Sequence, residues 1–184
     1  MTDPLRELAL KIVWLDWGKP YRWGGDDPGT FDCSGKVIEW LKSVGFFPRK
    51  KDTTADGLRR LFQLSVVEEL DDAQPCDLIF FMNRSATKAI HVETIVKNID
   101  GDLYSIGASG GGSDLVSPGK PPEKTGDTTA DTTAAIDYLI KWVRRDEAAW
   151  EQNAYVKVRP VASIYPNRVR VLIDPFAMPV EDVT

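Results

Sequence analysis

At Asp32-Cys33-Ser34-Gly35 the chain passes from turn residues to a helical repeat, and this junction constrains the fold more than any other stretch. Before it stand Gly24, Gly25, Pro28 and Gly29, which belong to turns and not to regular structure. After it Val37, Ile38, Trp40, Leu41 and Val44 recur at three- and four-residue spacing, one apolar face of an amphipathic helix. Gly45 closes that helix in the usual C-terminal glycine position. Cys33 therefore falls at or next to a helix N-terminus, where unpaired backbone N–H groups and the helix dipole favour negative charge. A thiol placed there is favoured as the thiolate, its reactive form. A nucleophile needs a base, and the chain holds a single histidine, His91. The pair is the chemistry to expect if folding brings the two together. Taken separately, each has a structural reading: Cys33 as a small buried apolar residue, His91 as an ordinary strand residue.

The elements around this junction can be placed in order. Pro4 suits the first helical position, and Leu5, Leu8, Ala9, Ile12, Val13 and Trp17 predict an amphipathic helix over 4–17, stopped by Gly18 and Pro20. Asp52, Thr53 and Thr54 are N-cap types, and Leu58, Leu61 and Phe62 predict a short third helix. The pattern then changes to strands. Leu78-Ile79-Phe80-Phe81-Met82 is an apolar run of strand length, 90–96 is a second strand carrying His91, and 103–108 is a third. An Asp100-Gly101 turn predicts a hairpin between the last two. Residues 109–133 are rich in Gly, Ser, Thr, Pro and Asp and predict a long loop, either lining a binding groove or forming a solvated insertion. A helix carrying Ile136, Leu139, Ile140 and Val143 follows, then strands at 155–159 and 169–173, and an irregular tail after about 175. Helices first and an antiparallel sheet afterwards predict an α+β fold, a single domain over 1–184.

Composition excludes several classes of function. A net charge of −5 and no basic stripe argue against nucleic acid as a partner. No run approaches the length of a membrane span. Two cysteines make no disulfide framework, and the opening apolar run after Cys76 marks that residue as core. Two cysteines and one histidine lack paired metal-ligand spacing, so no zinc, no other metal and no cofactor is expected. The composition assigns no oligomeric state. The stretch Met1-Thr2-Asp3-Pro4 has neither a basic start nor an apolar core, which predicts synthesis in the cytoplasm without a signal peptide.

The segments PYRWGG, FDCSG opening a helix, QPCDLIFF and HVETIV, in that order over roughly 18–108, resemble the NlpC-type cell-wall cysteine peptidases, a papain-like family. The stretches IGASGGGSD and QNAYVKVRP are similar to those of phage-encoded members and carry the resemblance to about residue 160. The resemblance implies N-terminal helices packed on an antiparallel β-sheet, and hydrolysis of amide bonds in peptidoglycan stem peptides. It implies a bacterial wall as partner, reached after lysis-type release or on a virion. Cys33 matches the nucleophile, His91 the base, Tyr21 a tyrosine whose hydroxyl lies near the sulfur, and Asp32 and Ser34 the residues flanking the nucleophile. Backbone N–H groups of the helix start, with Tyr21, would then bind the oxyanion. Alternatives remain open: Tyr21 packing on Trp23, Asp32 serving only as an N-cap, an inactive phage tail component, or an acyltransferase or deamidase on the same fold.

Two departures from the family pattern stand out. Cys76 occupies a place where members usually have glycine. The polar residue that orients the histidine normally comes from the strand after it, often as a second histidine, and here Gly107 holds roughly that place. Glu93 is the first candidate for that role. Residues two apart on a strand share a face, so His91 and Glu93 would leave the sheet together on the Cys33 side. Ser105, Ser109, a backbone carbonyl or a water compete for the role, and Glu93 could pair with a lysine or arginine instead.

Overall fold

Each helix starts where the sequence supplies a cap. In the computed structural model, Asp3 accepts a hydrogen bond from Leu5 N at 2.9 Å and opens α1 (Pro4–Trp14) with proline in its first turn. Asp32 opens α2 (Cys33–Ser43), and Thr54 opens α3 (Ala55–Leu61) by accepting from Gly57 N at 3.2 Å. The structure describes residues 3–27, 29–99, 102–109, 125, 130, 132–134, 136–137 and 154–178. The first helix ends three residues before the expected Trp17, which is exposed together with Leu8, so its apolar stripe is narrower than the periodicity suggested.

Two short strands not anticipated from the sequence, β1 (Asp26–Asp27) and β2 (Thr30–Phe31), pair antiparallel just before α2. A six-stranded sheet follows, built from β3 (Val66–Val67), β4 (Leu78–Met82), β5 (Ala89–Ile99), β6 (Asp102–Ser109), β7 (Tyr155–Pro160) and β8 (Arg170–Ile173). The spatial order is β3-β8-β4-β5-β6-β7, with every pairing antiparallel. The last strand therefore returns to lie between β3 and β4. The long loop expected over 109–133 and the apolar positions of the following helix fall mostly outside the described residues; residues 130, 132–134 and 136–137 are helical. Pro175–Ala177 forms a 3-10 turn capped by Asp174, so regular structure runs slightly past the point where the sequence pattern ends.

Strand alternation sorts the sheet's side chains onto two faces. Leu78, Phe80, Val92, Val96, Ile106 and Val156 join the larger apolar cluster with the helices, where buried Trp40 of α2 donates its Nε1–H to Thr94 at 3.0 Å. Ile79, Phe81, Ile95, Leu103, Val161 and Leu172 form a second, smaller cluster on the other face. Burying side chains of this size contributes roughly 1.5–3 kcal/mol each. One charge is sealed under α2: Lys36 Nζ donates to Val13 O at 2.9 Å and lies 3.5 Å from Asp16 Oδ2. Its burial, only partly offset by Asp16, pushes the ammonium down to about 8.

Candidate active site

The first turn of α2 is fixed by one carboxylate. Asp32 Oδ1 accepts from Gly35 N at 2.7 Å and from Ser34 Oγ at 3.0 Å, while Oδ2 accepts from Gly24 N at 3.0 Å. Its own backbone N–H donates to Gly25 O at 2.9 Å. Asp32 is thus the N-cap and also the tie between the glycine turn and the helix. The approach is close: a Cβ on Gly35 would lie 2.0 Å from Gly25 O, so only glycine fits there. Ser34 is buried, with its hydroxyl engaged inside this cap. Cys33, held next to it, is half-buried and a free thiol.

Tyr21 is buried in the core beside this turn, whereas Trp23 is 73% exposed. Burial raises the Tyr21 phenol well above its ordinary value, and the charges of Cys33 and then Asp32 raise it further, so its hydroxyl lies within electrostatic reach of the sulfur.

His91 comes from β5, where it pairs in register with Phe81 of β4. Its ring is 5% exposed and is held from two sides. Nε2 lies 2.9 Å from Glu93 Oε1, and the other hydrogen-bonding partner is the Cys33 side chain. A carboxylate can only accept, so the Nε2 proton belongs to the ring, and Nδ1 is the nitrogen left for the sulfur. Burial alone would lower the imidazole's proton affinity; hydrogen bonds to Cys33 and Glu93 and their charges outweigh it and push the group up to about 9. Glu93 and His91 do share a strand face, that of Ile79, Phe81 and Ile95. Val92 and Thr94 turn to the opposite face, where Val92 joins the cluster packed by the helices and Thr94 accepts from Trp40 of α2.

Glu93 is 0% exposed, yet its carboxyl is held below the ordinary carboxylate range. Burial opposes ionisation, and hydrogen bonding and charge from His91, the charge of Arg159 and a bond from Ser105 overcome it. Ser105 Oγ donates to Oε2 at 2.6 Å, and Arg159 Nη2 donates to Oε1. The alternative that Glu93 pairs with an arginine instead of the ring is resolved by its doing both. Ser105, a rival for His91 in the sequence reading, bonds the carboxylate instead, and the Ser109 hydroxyl is buried with no partner among the described residues.

Two neighbours escaped the sequence reading. Arg159 sits on β7, opposite Ser105 in register, and 45 or more residues of chain separate it from the strands it serves; nothing local marks it. Tyr165 presents its ring edge to His91, with centroids 5.6 Å apart at 70°, and also meets Phe81 at 5.8 Å. Its φ of +43° is unusual for a bulky residue, a backbone state that sequence patterns do not announce.

The second thiol is different. Cys76 is buried, donates weakly to Arg6 O at 3.6 Å, and is pushed up to about 12, first by burial. Its φ of +73° lies in the left-handed region that favours glycine, which accounts for glycine being usual at that place. Among the described residues no group of three or more His, Cys, Asp or Glu could hold a metal ion, and no helix is long and apolar enough to cross a membrane. The site brings together a thiol, an imidazole and a buried carboxylate behind it.

A model described as the NlpC/P60 family matches residues 18–111, the segment holding Tyr21, Cys33, His91 and Glu93. Murein DD-endopeptidase MepH of Escherichia coli (strain K12) is 37% identical over 93 residues, covering 50% of this chain and 33% of that protein. The probable endopeptidase Rv2190c of Mycobacterium tuberculosis is 33% identical over 88 residues, covering 47% of this chain and 21% of that protein. The chain thus aligns with a third or less of these relatives. Among solved structures, NlpC1 from Trichomonas vaginalis superposes with a TM-score of 0.54 at 22% identity, over 91% of this chain and 42% of that one. The NlpC/p60 domain of the peptidoglycan hydrolase SagA superposes with a TM-score of 0.52 at 16% identity, over 92% of this chain and 97% of that one. At these identities the likeness shows the fold, the papain-like α+β arrangement with helices on an antiparallel sheet.

Proposed function

Because the chain belongs to the NlpC/P60 family, we propose that it is a peptidoglycan hydrolase that cleaves amide bonds of stem peptides through Cys33 and His91. The observation that carries this reading is the His91 ring, bonded on one side to the Cys33 side chain and on the other to Glu93. The relatives named murein DD-endopeptidase and probable endopeptidase support the substrate class.

In the proposed reaction His91 Nδ1 takes the Cys33 proton, and the thiolate attacks the scissile carbonyl. The Cys33 N–H, one of the helix's first donors without an intrahelical acceptor, faces the developing oxyanion, with the Tyr21 hydroxyl as a second donor. Losing one such donor costs about 10²–10³ in turnover in other acyl-transfer enzymes. The imidazolium then protonates the leaving amine, and the acyl group remains on sulfur as a thioester. Water, deprotonated by neutral His91, releases the acid and restores the thiol. Glu93 holds the productive tautomer throughout, the part an aspartate plays in serine triads. Asp32 and Ser34 act by fixing the helix start.

The rival reading of an inactive tail component leaned on the missing polar residue at position 107; a carboxylate from Glu93 in that space supports the active one. An acyltransferase or deamidase would use the same groups with another acceptor or amide. The phage-lysin form of the proposal, with release by lysis or delivery on a virion, is supported only by the resemblance of IGASGGGSD and QNAYVKVRP.

Digestion of purified peptidoglycan, with fragments identified by mass spectrometry, tests the reading. The wild-type chain should release shortened stem peptides with new amino termini, and Cys33→Ala should release none while keeping its fold. Intact peptidoglycan after incubation with the wild-type protein would sink the hydrolase reading.

A further inference from the structure

Arg159 takes no part in the steps above, yet it contacts the most deeply buried charge of the site. Glu93 stands on β5 and Arg159 on β7, with β6 between them. Side chains on strands separated in this way do not ordinarily meet unless the intervening residue is small. That residue is Gly107, which pairs with Lys157 of β7. A Cβ at Gly107 would lie 2.3 Å from Glu93 Cγ, 2.5 Å from Cδ and 2.7 Å from Oε1, so the Glu93 side chain lies across β6 in the space glycine leaves. There Arg159 Nη2 and His91 Nε2 donate to the same oxygen, Oε1, and Ser105 donates to Oε2.

We propose that Arg159 is a positioning residue, whose guanidinium, meeting Glu93 across Gly107, holds that carboxylate ionised and aimed at His91 through the whole reaction cycle. The proposal rests on the Cys33–His91 reading. Its physical need arises at one step. While His91 is an imidazolium, Glu93 has a cationic partner within its own strand. Once His91 hands its proton to the leaving amine, a fully buried carboxylate would be left without a counter-charge, and burial would drive it to take up a proton. Arg159 is always charged and cannot be spent in this way. A protonated Glu93 could donate to Nε2 and so reverse the tautomer that His91 needs for the next turnover. Sharing Oε1 also limits how tightly Glu93 holds the imidazolium.

The groups facing this carboxylate are His91 from its own strand, Ser105 from β6, and Arg159 with the further cation Lys157 from β7, whose ammonium senses both Arg159 and Glu93. Cys33, Glu93 and the edge of Tyr165 face His91, and Tyr21 faces Cys33. Among these, Arg159 is the cation in direct contact with Glu93 that the reaction leaves unchanged.

The pH dependence of Cys33 alkylation by iodoacetamide reads the pair with no wall substrate, and kcat and KM on peptidoglycan fragments read turnover. In Arg159→Met the acid limb of alkylation should move up by about one pH unit, since an opposite charge in contact with a carboxylate is worth that much or more. Turnover should fall about tenfold with KM changed by less than about twofold, and Arg159→Lys, which keeps the charge, should recover part of the loss. Because Arg159 acts through Glu93, adding Arg159→Met to Glu93→Gln should change the rate by less than about twofold. A folded Arg159→Met variant with wild-type limbs would overturn the proposal, as would a loss carried by KM, which would place Arg159 on the substrate. The double variant leaves no unpaired buried charge, so it carries the test if Arg159→Met fails to fold; losses that add in full to Glu93→Gln alone would then overturn it. Alkylation behaviour as expected with inert peptidoglycan would uphold the Arg159 role and sink only the hydrolase reading.

Discussion

The Glu93 side chain fills the space that any side chain at position 107 would need, since a Cβ there would come within 2.3 Å of Glu93 Cγ. Contacts below 3 Å of this kind force movement, and here the group that must move is the one bonded to His91. Gly107→Ala should therefore reduce turnover about as much as Glu93→Gln does, at least tenfold if Glu93 orients the ring. It should also lower stability by roughly 1–3 kcal/mol, the usual cost of overpacking. Measuring kcat with a denaturation midpoint checks both, and wild-type turnover in Gly107→Ala would detach Glu93 from the mechanism.

With one histidine in the chain, a single imidazole resonance reports the charge state of the site. That resonance should titrate near pH 9 in the wild-type protein, because Cys33 and Glu93 raise the group to about 9. Cys33→Ala removes the first of these two supports, so the midpoint should fall toward the ordinary histidine range near 6.5. The sign for stability follows from linkage. A folded-state value above the unfolded one contributes stability that is fully present below about 6.5 and is lost as pH rises through about 9. Proton NMR across this range checks the midpoint, and a Cys33→Ala midpoint equal to wild type would deny the thiol's contact with the ring.

The two thiols should differ sharply in reactivity. Cys76, buried and pushed up to about 12, should resist iodoacetamide at neutral pH, while half-buried Cys33 reacts. Peptide mapping after brief labelling measures this. Cys76→Ala should keep full turnover, since the thiol is packed in the core and its hydrogen bond goes to Arg6 O, not to the site. Preferential labelling of Cys76 in the native protein would contradict this assignment.

Asp32 offers a test of the scaffold. Asp32→Ala removes the N-cap bond to Gly35 N and the anchor on Gly24 N together. A lost cap costs about 1 kcal/mol, so the melting temperature should drop by several degrees. Turnover should fall as well, because the backbone that carries Cys33 is no longer tied to the glycine turn. Unchanged melting and turnover would show that the turn and the helix start hold each other without this carboxylate.

Much of this arrangement was legible in the residues because it depends on short range. The Asp32 cap, the apolar face of the Cys33 helix and the strand-length apolar run at 78–82 are properties of a few consecutive residues. So is the shared face of His91 and Glu93, which needs only strand alternation. The left-handed backbone at Cys76 was not legible in this way, since the residue there is not the glycine that usually marks it.

What only the tertiary structure decided is where the buried charge of Glu93 is answered. Ser105 and Arg159 stand opposite each other because β6 and β7 pair in one particular register, across a long intervening segment whose length says nothing about that register. The return of β8 between β3 and β4, and the turn that presents Tyr165 to His91, are likewise outcomes of packing. Local propensity can place a carboxylate two residues from a histidine. Whether that carboxylate stays ionised depends on charges that arrive through space, and those are set by which strands become neighbours.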